Sequence, residues 1–240
     1  MASVLREALF VSFSLSIRES AEPVYRAILG HPFVQGIARG DLHRDAMIYY
    51  VQQDSQYLAT YARIFALAAS QARTLDRMKI LAQRMNVLFE GELVPHQNLC
   101  QRAGISYQDL IRSLPEPAPT THHYVQHLLA SASSGSLAQT IAAALPCYWV
   151  YMDLGRDLLR QIDSDASHPF WDWIAFYAND SMQDGLNQLC ALLDEEADRA
   201  QDRDQIASAF LHSFGLEYRF FDMAWRQERW DLPGLGGDLT

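Results

Sequence analysis

The chain has 240 residues, of which 49% are apolar and 20% charged, and its formal net charge at pH 7 is −10. This composition is typical of a globular protein with a substantial core, and it excludes an intrinsically disordered chain. The negative charge disfavours nucleic acid and anionic membrane surfaces as partners.

Cysteine usage and hydropathy bear on the compartment. Cys100, Cys147 and Cys190 are odd in number, widely spaced and without a C-x-x-C pair, so they predict neither a disulfide framework nor a cysteine zinc site. No apolar run approaches the roughly 20 residues of a membrane-spanning helix. The short apolar segment 8–17 lacks a signal-peptide cleavage site. We therefore expect a cytoplasmic protein without a membrane partner.

Most of the chain repeats its apolar residues with a period near 3.6, which predicts helices. The N-terminal segment differs, because the apolar alternation over 11–17 is strand-like and leaves its conformation open. A Pro-rich loop is expected over 113–120 and a turn at 133–136. The predicted helices cover a stripe over 47–65 and then 74–102, about 120–133, 137–162, 168–178, 181–201 and 203–229, the last ended by PGLGG at 233–237.

These elements predict an all-α fold, a helical bundle without a strand-rich region, repeat or flexible linker. We expect a single α-helical domain over residues 1–240, with 1–18 as an N-terminal extension and 231–240 as a C-terminal tail. The wide apolar stripes and many tyrosines and tryptophans indicate that some surface is also buried between subunits.

Two carboxylates interrupt apolar helix faces. Asp54 lies within the stripe over 47–65, and Glu217 shares a face with four aromatic residues of the last helix. A buried charge is costly unless it is paired or hydrogen-bonded. Each carboxylate is therefore either a functional group with a perturbed pKa or half of a structural ion pair with an arginine, and periodicity weighs the two interpretations equally.

A third candidate, Cys147, directly follows Pro146 inside a predicted helix. The proline removes a hydrogen-bond donor and predicts a kink, and a kink can open a cavity. Tyr151 lies one turn further on the same face. Because an isolated cysteine is more often an inert core residue, a nucleophile and a structural thiol both stay open at this point.

Metal and phosphate motifs are absent from the sequence. His123 and His127 are four residues apart, but neither H-E-x-x-H nor E-x-x-H occurs, so solvated or structural histidines are favoured over metal ligands. No glycine-rich phosphate loop and no G-x-S-x-G are present. We expect no metal and no cofactor.

Five segments stand out together: HPFVQGI (31–37), YYVQQDSQYL (49–58), LPCYWVYMDLG (145–155), HPFWDWIAFY (168–177) and LEYRFFDMAW (216–225). They resemble the thiaminase II family, also called TenA, and follow one another in the family's order over about residues 20–230. The combination of LPCYW with Q-D-S-x-Y is specific, and its cysteine indicates the branch that keeps a catalytic thiol. The resemblance implies a haem-oxygenase-like helical fold and a homotetramer.

The resemblance also implies a role for each site residue. Cys147 corresponds to the catalytic nucleophile, Glu217 to the catalytic acid/base, and Asp54 to the carboxylate that hydrogen-bonds the aminopyrimidine. The aromatic pocket residues that it implies are Tyr57, Tyr124, Tyr151 and Tyr177, with Phe220 packed nearby.

The implied activity is hydrolysis of 4-amino-5-aminomethyl-2-methylpyrimidine to the hydroxymethyl form and ammonia, and of thiamine to hydroxymethylpyrimidine and thiazole, for thiamine salvage. The sequence does not rank the two substrates. One alternative is a cofactor-free oxidase or a haem or di-iron oxygenase on the same fold, which the LPCYW cysteine and the missing metal-ligand pattern disfavour. The other is a non-enzymatic regulator or ligand-binding protein, for which the acidic charge disfavours direct DNA binding.

Overall fold

The computed structural model describes residues 12–91, 93–134 and 136–231. All regular secondary structure within these ranges is helical, as the apolar periodicity predicts. The helices are α1 (Phe13–Ser20), α2 (Glu22–Leu29), α3 (Pro32–Arg39), α4 (Arg44–Gln71), α5 (Leu75–Gly91), α6 (Leu93–Ala103), α7 (Tyr107–Leu110), α8 (Pro119–Ser134), α9 (Leu137–Gln161), α10 (Trp171–Tyr177), α11 (Asp180–Ala197) and α12 (Arg203–Arg226).

Helix α9 forms the centre of the bundle, since it packs against α4, α8, α10, α11 and α12. Ser136 caps its first turn by accepting a hydrogen bond from the backbone N–H of Gln139. The helix continues through Pro146, and the kink expected there stays a prediction. Beside the proline, the Tyr61 hydroxyl of α4 donates to the carbonyl of Ala144 at 2.7 Å and links the two longest helices of the described chain.

The helix expected over 74–102 corresponds to α5 and α6, which lie on either side of residue 92. Residue 92 lies outside the described residues, so the continuity of this helix stays a prediction. Pro95, in α6, has no N–H to offer the carbonyl of Gly91, four residues earlier.

The N-terminal segment is helical from Phe13 and not a strand. The Ser12 side chain caps α1, and the backbone N–H of Ser14 donates to Asp194 of α11 at 2.7 Å. Arg18 adds an ion pair with Asp153 of α9 at 2.8 Å. Part of the segment expected as an extension is thus fastened to the bundle, whereas residues 1–11 lie outside the described residues.

The last helix ends earlier than 229, because Gln227 adopts a left-handed conformation with φ of 54° directly after Arg226. The PGLGG segment and the tail from residue 232 lie outside the described residues. Helix α10 begins at Trp171 and not at 168, since the His168 ring accepts a hydrogen bond from the backbone N–H of Phe170 and holds the preceding residues in a turn.

Helix α9 lies unusually close to the end of α10, and Gly155 permits this approach. A Cβ atom at Gly155 would lie 2.5 Å from the carbonyl carbon of Tyr177 and 2.6 Å from the nitrogen of Ala178. Only glycine therefore fits, and the contact fixes where Tyr177 stands relative to α9. Within the described residues, no helix combines the length and the apolar character needed to cross a bilayer.

Candidate active site

A cleft lies between helices α4, α5, α9, α10 and α11. Asp54, Cys147, Tyr151 and Tyr177, four of the eight predicted site residues, line it directly. The other residues that line the cleft are Leu58, Tyr61, Phe65, Arg84, Val87, Leu88, Tyr148 and Met182.

The remaining four predicted residues form a layer directly behind the wall of the cleft. The ring of Tyr57 stacks on that of Tyr61, with centroids 5.5 Å apart, and lies 4.8 Å from Tyr124 and 5.7 Å from Phe220. The Tyr124 hydroxyl donates to Oε1 of Glu217 at 2.6 Å. The structure therefore brings all eight residues into one region, from helices α4, α8, α9, α10 and α12.

Glu217 is a buried carboxyl group with a raised pKa. Its side chain is 2% exposed, and burial raises its pKa to about 8 from the ordinary value of 4.5. The hydrogen bond from Tyr124 lowers the pKa, and the nearby charge of Asp54 raises it. Glu217 thus carries a proton at neutral pH. Within the described residues it forms no ion pair with an arginine, so that interpretation of the buried glutamate is wrong.

Asp54 is held by a histidine and not by an arginine. Nε2 of His96, on α6, donates to Oδ2 of Asp54 at 2.7 Å, and both side chains are buried. The second carboxylate oxygen, Oδ1, accepts no hydrogen bond from the described residues. Because Asp54 lines the cleft, this oxygen is available to a donor group on a bound ligand.

Cys147 is half-buried and opens onto the cleft, one turn before Tyr151. Burial, together with the nearby Cys147, keeps the pKa of the Tyr61 hydroxyl well above its usual value. The other two cysteines lie outside the cleft. Burial raises the pKa of Cys100 to about 11 and that of Cys190 to about 12, so both remain protonated and unreactive at neutral pH.

Tyrosine side chains provide most of the polar groups of the aromatic wall. The Tyr151 hydroxyl forms a 2.6 Å hydrogen bond with the Tyr50 hydroxyl, and the Tyr151 ring lies 4.9 Å from that of Tyr177. Burial raises the pKa of Tyr151 well above its usual value. Tyr151 and Tyr177 therefore give this part of the cleft an aromatic surface, as a slot for a flat heterocycle requires.

Several residues at the site have no sequence signal that singles them out. Arg84 is one of many arginines in charged helical segments, and His96 follows a proline in an unremarkable stretch. Tyr61 is different, because it belongs to the same apolar stripe as Asp54 and its spacing predicts the shared face. Helical periodicity indicates which face is buried, but it does not identify the partner on another helix.

The described residues contain no group of three or more histidine, cysteine, aspartate or glutamate side chains that could hold a metal ion. His127, one of the two histidines considered as metal ligands, donates to the carbonyl of Ala209 at 3.2 Å and lies edge-on to the ring of His212. Its contacts are those of a structural histidine.

The chain is a helical bundle whose cleft brings a thiol, Cys147, and a carboxylate, Asp54, close to a buried carboxyl group, Glu217. The chain belongs to the TENA/THI-4/PQQC family, whose model matches residues 18–227. An aminopyrimidine aminohydrolase of Halalkalibacterium halodurans is 36% identical over 93% of this chain and 100% of its own length. An aminopyrimidine aminohydrolase of Bacillus subtilis is 33% identical over 92% of each chain.

Solved structures support the fold. A TenA homologue from P. horikoshii superposes with a TM-score of 0.79 at 23% identity, covering 90% of this chain and 99% of its own. A domain with a heme oxygenase-like fold from Shewanella denitrificans gives a TM-score of 0.69 at 17% identity, covering 88% and 91%. The family and the haem-oxygenase-like fold expected from the sequence motifs are both confirmed.

Proposed function

We propose that this protein hydrolyses aminopyrimidines in thiamine salvage. Its reaction converts 4-amino-5-aminomethyl-2-methylpyrimidine to the hydroxymethyl compound and ammonia, with cleavage of thiamine as a related activity. One observation carries the proposal: a thiol, Cys147, and a carboxylate, Asp54, line one aromatic cleft in front of a carboxyl group, Glu217, that is protonated at neutral pH. The names of the two relatives, aminopyrimidine aminohydrolase, support the same reaction.

The substrate ring binds between aromatic side chains. Tyr151 and Tyr177 supply flat apolar surface on the cleft wall, backed by Tyr57 and Phe220. Oδ1 of Asp54 accepts a hydrogen bond from the exocyclic amino group of the pyrimidine, while His96 holds Oδ2 and fixes the orientation of the carboxylate.

The first half of the reaction removes ammonia. Glu217 donates its proton to a ring nitrogen, and the thiolate of Cys147 adds to a ring carbon, which forms a C–S bond and breaks the aromaticity of the ring. The electron-rich ring then expels ammonia from the methylammonium group, so that the C–N bond breaks and its electron pair leaves with nitrogen.

The second half returns the enzyme to its starting state. Water adds to the exocyclic methylene, its oxygen forms the new C–O bond, and it releases a proton that ammonia takes up. The C–S bond then breaks as the ring regains its aromaticity, and the ring nitrogen returns its proton to Glu217. Tyr124, which donates to Oε1 of this glutamate, orients the carboxyl group throughout.

Family membership alone does not distinguish this hydrolysis from the other reactions considered for the fold, because the family includes the TENA, THI-4 and PQQC proteins. The hydrolase is favoured by the cleft thiol, which neither an oxidase nor a non-enzymatic regulator needs. It is also favoured by the identity to the two aminohydrolases over nearly the whole chain.

We propose that the protein works as a homotetramer in the cytoplasm. Several large apolar side chains are exposed, which supports burial of apolar surface between subunits. They include Leu15, Leu67, Leu75, Met78 and Leu211. The three cysteines are free thiols, which supports a reducing compartment. Light scattering on the purified protein tests the assembly: a mass of four chains is expected, and a monomer at micromolar concentration contradicts it.

Product identification tests the reaction. The purified protein is incubated with the aminomethylpyrimidine and with thiamine, and the products are identified by mass spectrometry. Hydroxymethylpyrimidine is expected from both, with one ammonia released per molecule of the amine substrate. If neither substrate is converted by folded protein, the proposed function is wrong.

A further inference from the structure

One charged side chain of the cleft has no place in this reaction. Arg84, on α5, is only 8% exposed and lines the cleft together with Asp54 and Cys147. Among the described residues, no carboxylate lies within ion-pair distance of it. Arg18, which is also largely covered, is by contrast paired with Asp153 at 2.8 Å.

The hydrogen bonds of the Arg84 guanidinium are incomplete. Nη1 donates to the Tyr148 hydroxyl at 3.2 Å, and the guanidinium carbon lies 5.9 Å from the centre of the Tyr148 ring. Nε is buried and has no partner, and Nη2 donates no hydrogen bond to the described residues. Among the described residues, the Tyr148 hydroxyl is thus the hydrogen-bond acceptor for this guanidinium.

Gly185 of α11 makes room for this arrangement. A Cβ atom at Gly185 would lie 1.7 Å from Nη1 of Arg84 and 2.3 Å from the Tyr148 hydroxyl oxygen. Any larger residue at this position would displace the guanidinium, which packs directly against the backbone of α11.

The cleft therefore contains two opposite charges that are not paired with each other. Asp54 is bonded to His96, and Arg84 to Tyr148. A buried cation without an anion is costly to the folded protein, whereas an anion on a bound ligand would remove that cost. The cleft is complementary to a ligand that carries both hydrogen-bond donors and a negative charge.

We propose that Arg84 forms a subsite for an anionic group, a carboxylate or a phosphate monoester, on the substituent that leaves the pyrimidine methylene. The planar guanidinium suits either group, because its donors can bind two oxygens of one anion. This inference rests on the proposed function, since it places the pyrimidine at Asp54. The substrate class is then aminopyrimidines whose leaving group carries a carboxylate or a phosphate.

Three matched ligands test the subsite. The three ligands differ only in the side chain of the thiazole leaving group. Thiamine has a hydroxyl at the end of this side chain, and thiamine monophosphate has a phosphate. In the third ligand the hydroxyethyl side chain is oxidised to a carboxymethyl group. Their dissociation constants are measured by calorimetry on protein carrying Cys147→Ala to stop turnover. At least one anionic ligand is expected to bind about tenfold more tightly than thiamine, as a charge-assisted hydrogen-bonded pair does.

Substitution of Arg84 tests whether this side chain causes the preference for anionic ligands. Arg84→Met is expected to reduce the ratio of dissociation constants to about one, whereas Arg63→Met, at an exposed arginine of α4 outside the cleft, retains it. The ligand with the larger ratio identifies the anion as carboxylate or phosphate. Retention of the preference in folded Arg84→Met overturns the proposal.

The ligand comparison decides even if Arg84→Met does not fold. Equal affinity for all three ligands in protein that keeps Arg84 overturns the subsite by itself. The proposed function fails separately, if the unsubstituted enzyme converts neither thiamine nor the aminomethylpyrimidine. Conversion of these substrates without any anion preference leaves the hydrolase in place and removes only the subsite.

Discussion

Replacement of Glu217 by glutamine tests whether this carboxyl group is protonated in the folded protein. Its pKa is about 8 in the fold, against an ordinary value of 4.5. The folded state therefore holds a proton between these two values that the unfolded chain releases. The contribution of Glu217 to stability is complete below pH 4.5 and is lost as the pH rises through 8, whereas glutamine does not titrate.

The size of the effect follows from the two pKa values. Each unit of difference corresponds to about 1.4 kcal/mol. Between pH 5 and pH 8, the wild-type protein should lose roughly 3–4 kcal/mol of unfolding free energy relative to Glu217→Gln. Because Glu217 is almost completely buried, solvent screening reduces this figure little.

Urea unfolding of both proteins at pH 5, 6, 7 and 8 measures the difference. The free energies of unfolding should diverge as the pH rises, with the glutamine variant gaining relative to the wild type. Differences that stay constant within about 0.5 kcal/mol across this range would refute the raised pKa, and with it the view that Glu217 is an acid at neutral pH.

Three further substitutions probe the contacts of the site. Tyr124→Phe removes the hydrogen bond that lowers the pKa of Glu217, so the alkaline fall of kcat should move up by about one pH unit; an unchanged pH–rate profile contradicts this. His96→Phe removes the hydrogen bond to Asp54 and should raise KM for the aminopyrimidine about tenfold in steady-state assays. His96→Gln keeps an N–H donor and should bring KM part of the way back to the wild-type value. Gly155→Ala forces a Cβ atom into the backbone that ends α10 and should cost about 1–3 kcal/mol, which thermal unfolding detects as a drop of roughly 2–10 °C; a melting temperature equal to that of the wild type would show that the two helices separate without strain.

Helical periodicity predicts much of the fold because each long helix buries one continuous face. The stripe over 47–65 lies within α4, and both Asp54 and Glu217 are buried where their spacing places them. Alternation alone misleads at the N-terminus, where a short segment satisfies a strand pattern and still forms a helix.

The partners of the site residues could not be predicted from the sequence. Glu217 bonds to Tyr124, 93 positions away, and Asp54 bonds to His96, 42 positions away. Periodicity predicts which face of a helix is buried, but the helix against which that face packs depends on the arrangement of the whole bundle. Arg84 illustrates the limit, because only the structure distinguishes this buried cleft arginine from those on the surface.

The most direct test of the account is the rate of ammonia release from the aminomethylpyrimidine by Cys147→Ala, with Cys190→Ala as the control. Both cysteines are half-buried free thiols, but only Cys147 lines the cleft. With Cys147 as the nucleophile, kcat/KM is expected to fall on the order of a thousandfold or more in the first variant and to stay near the wild-type value in the second. Turnover by folded Cys147→Ala within about tenfold of the wild type would contradict the assignment of this thiol as the nucleophile.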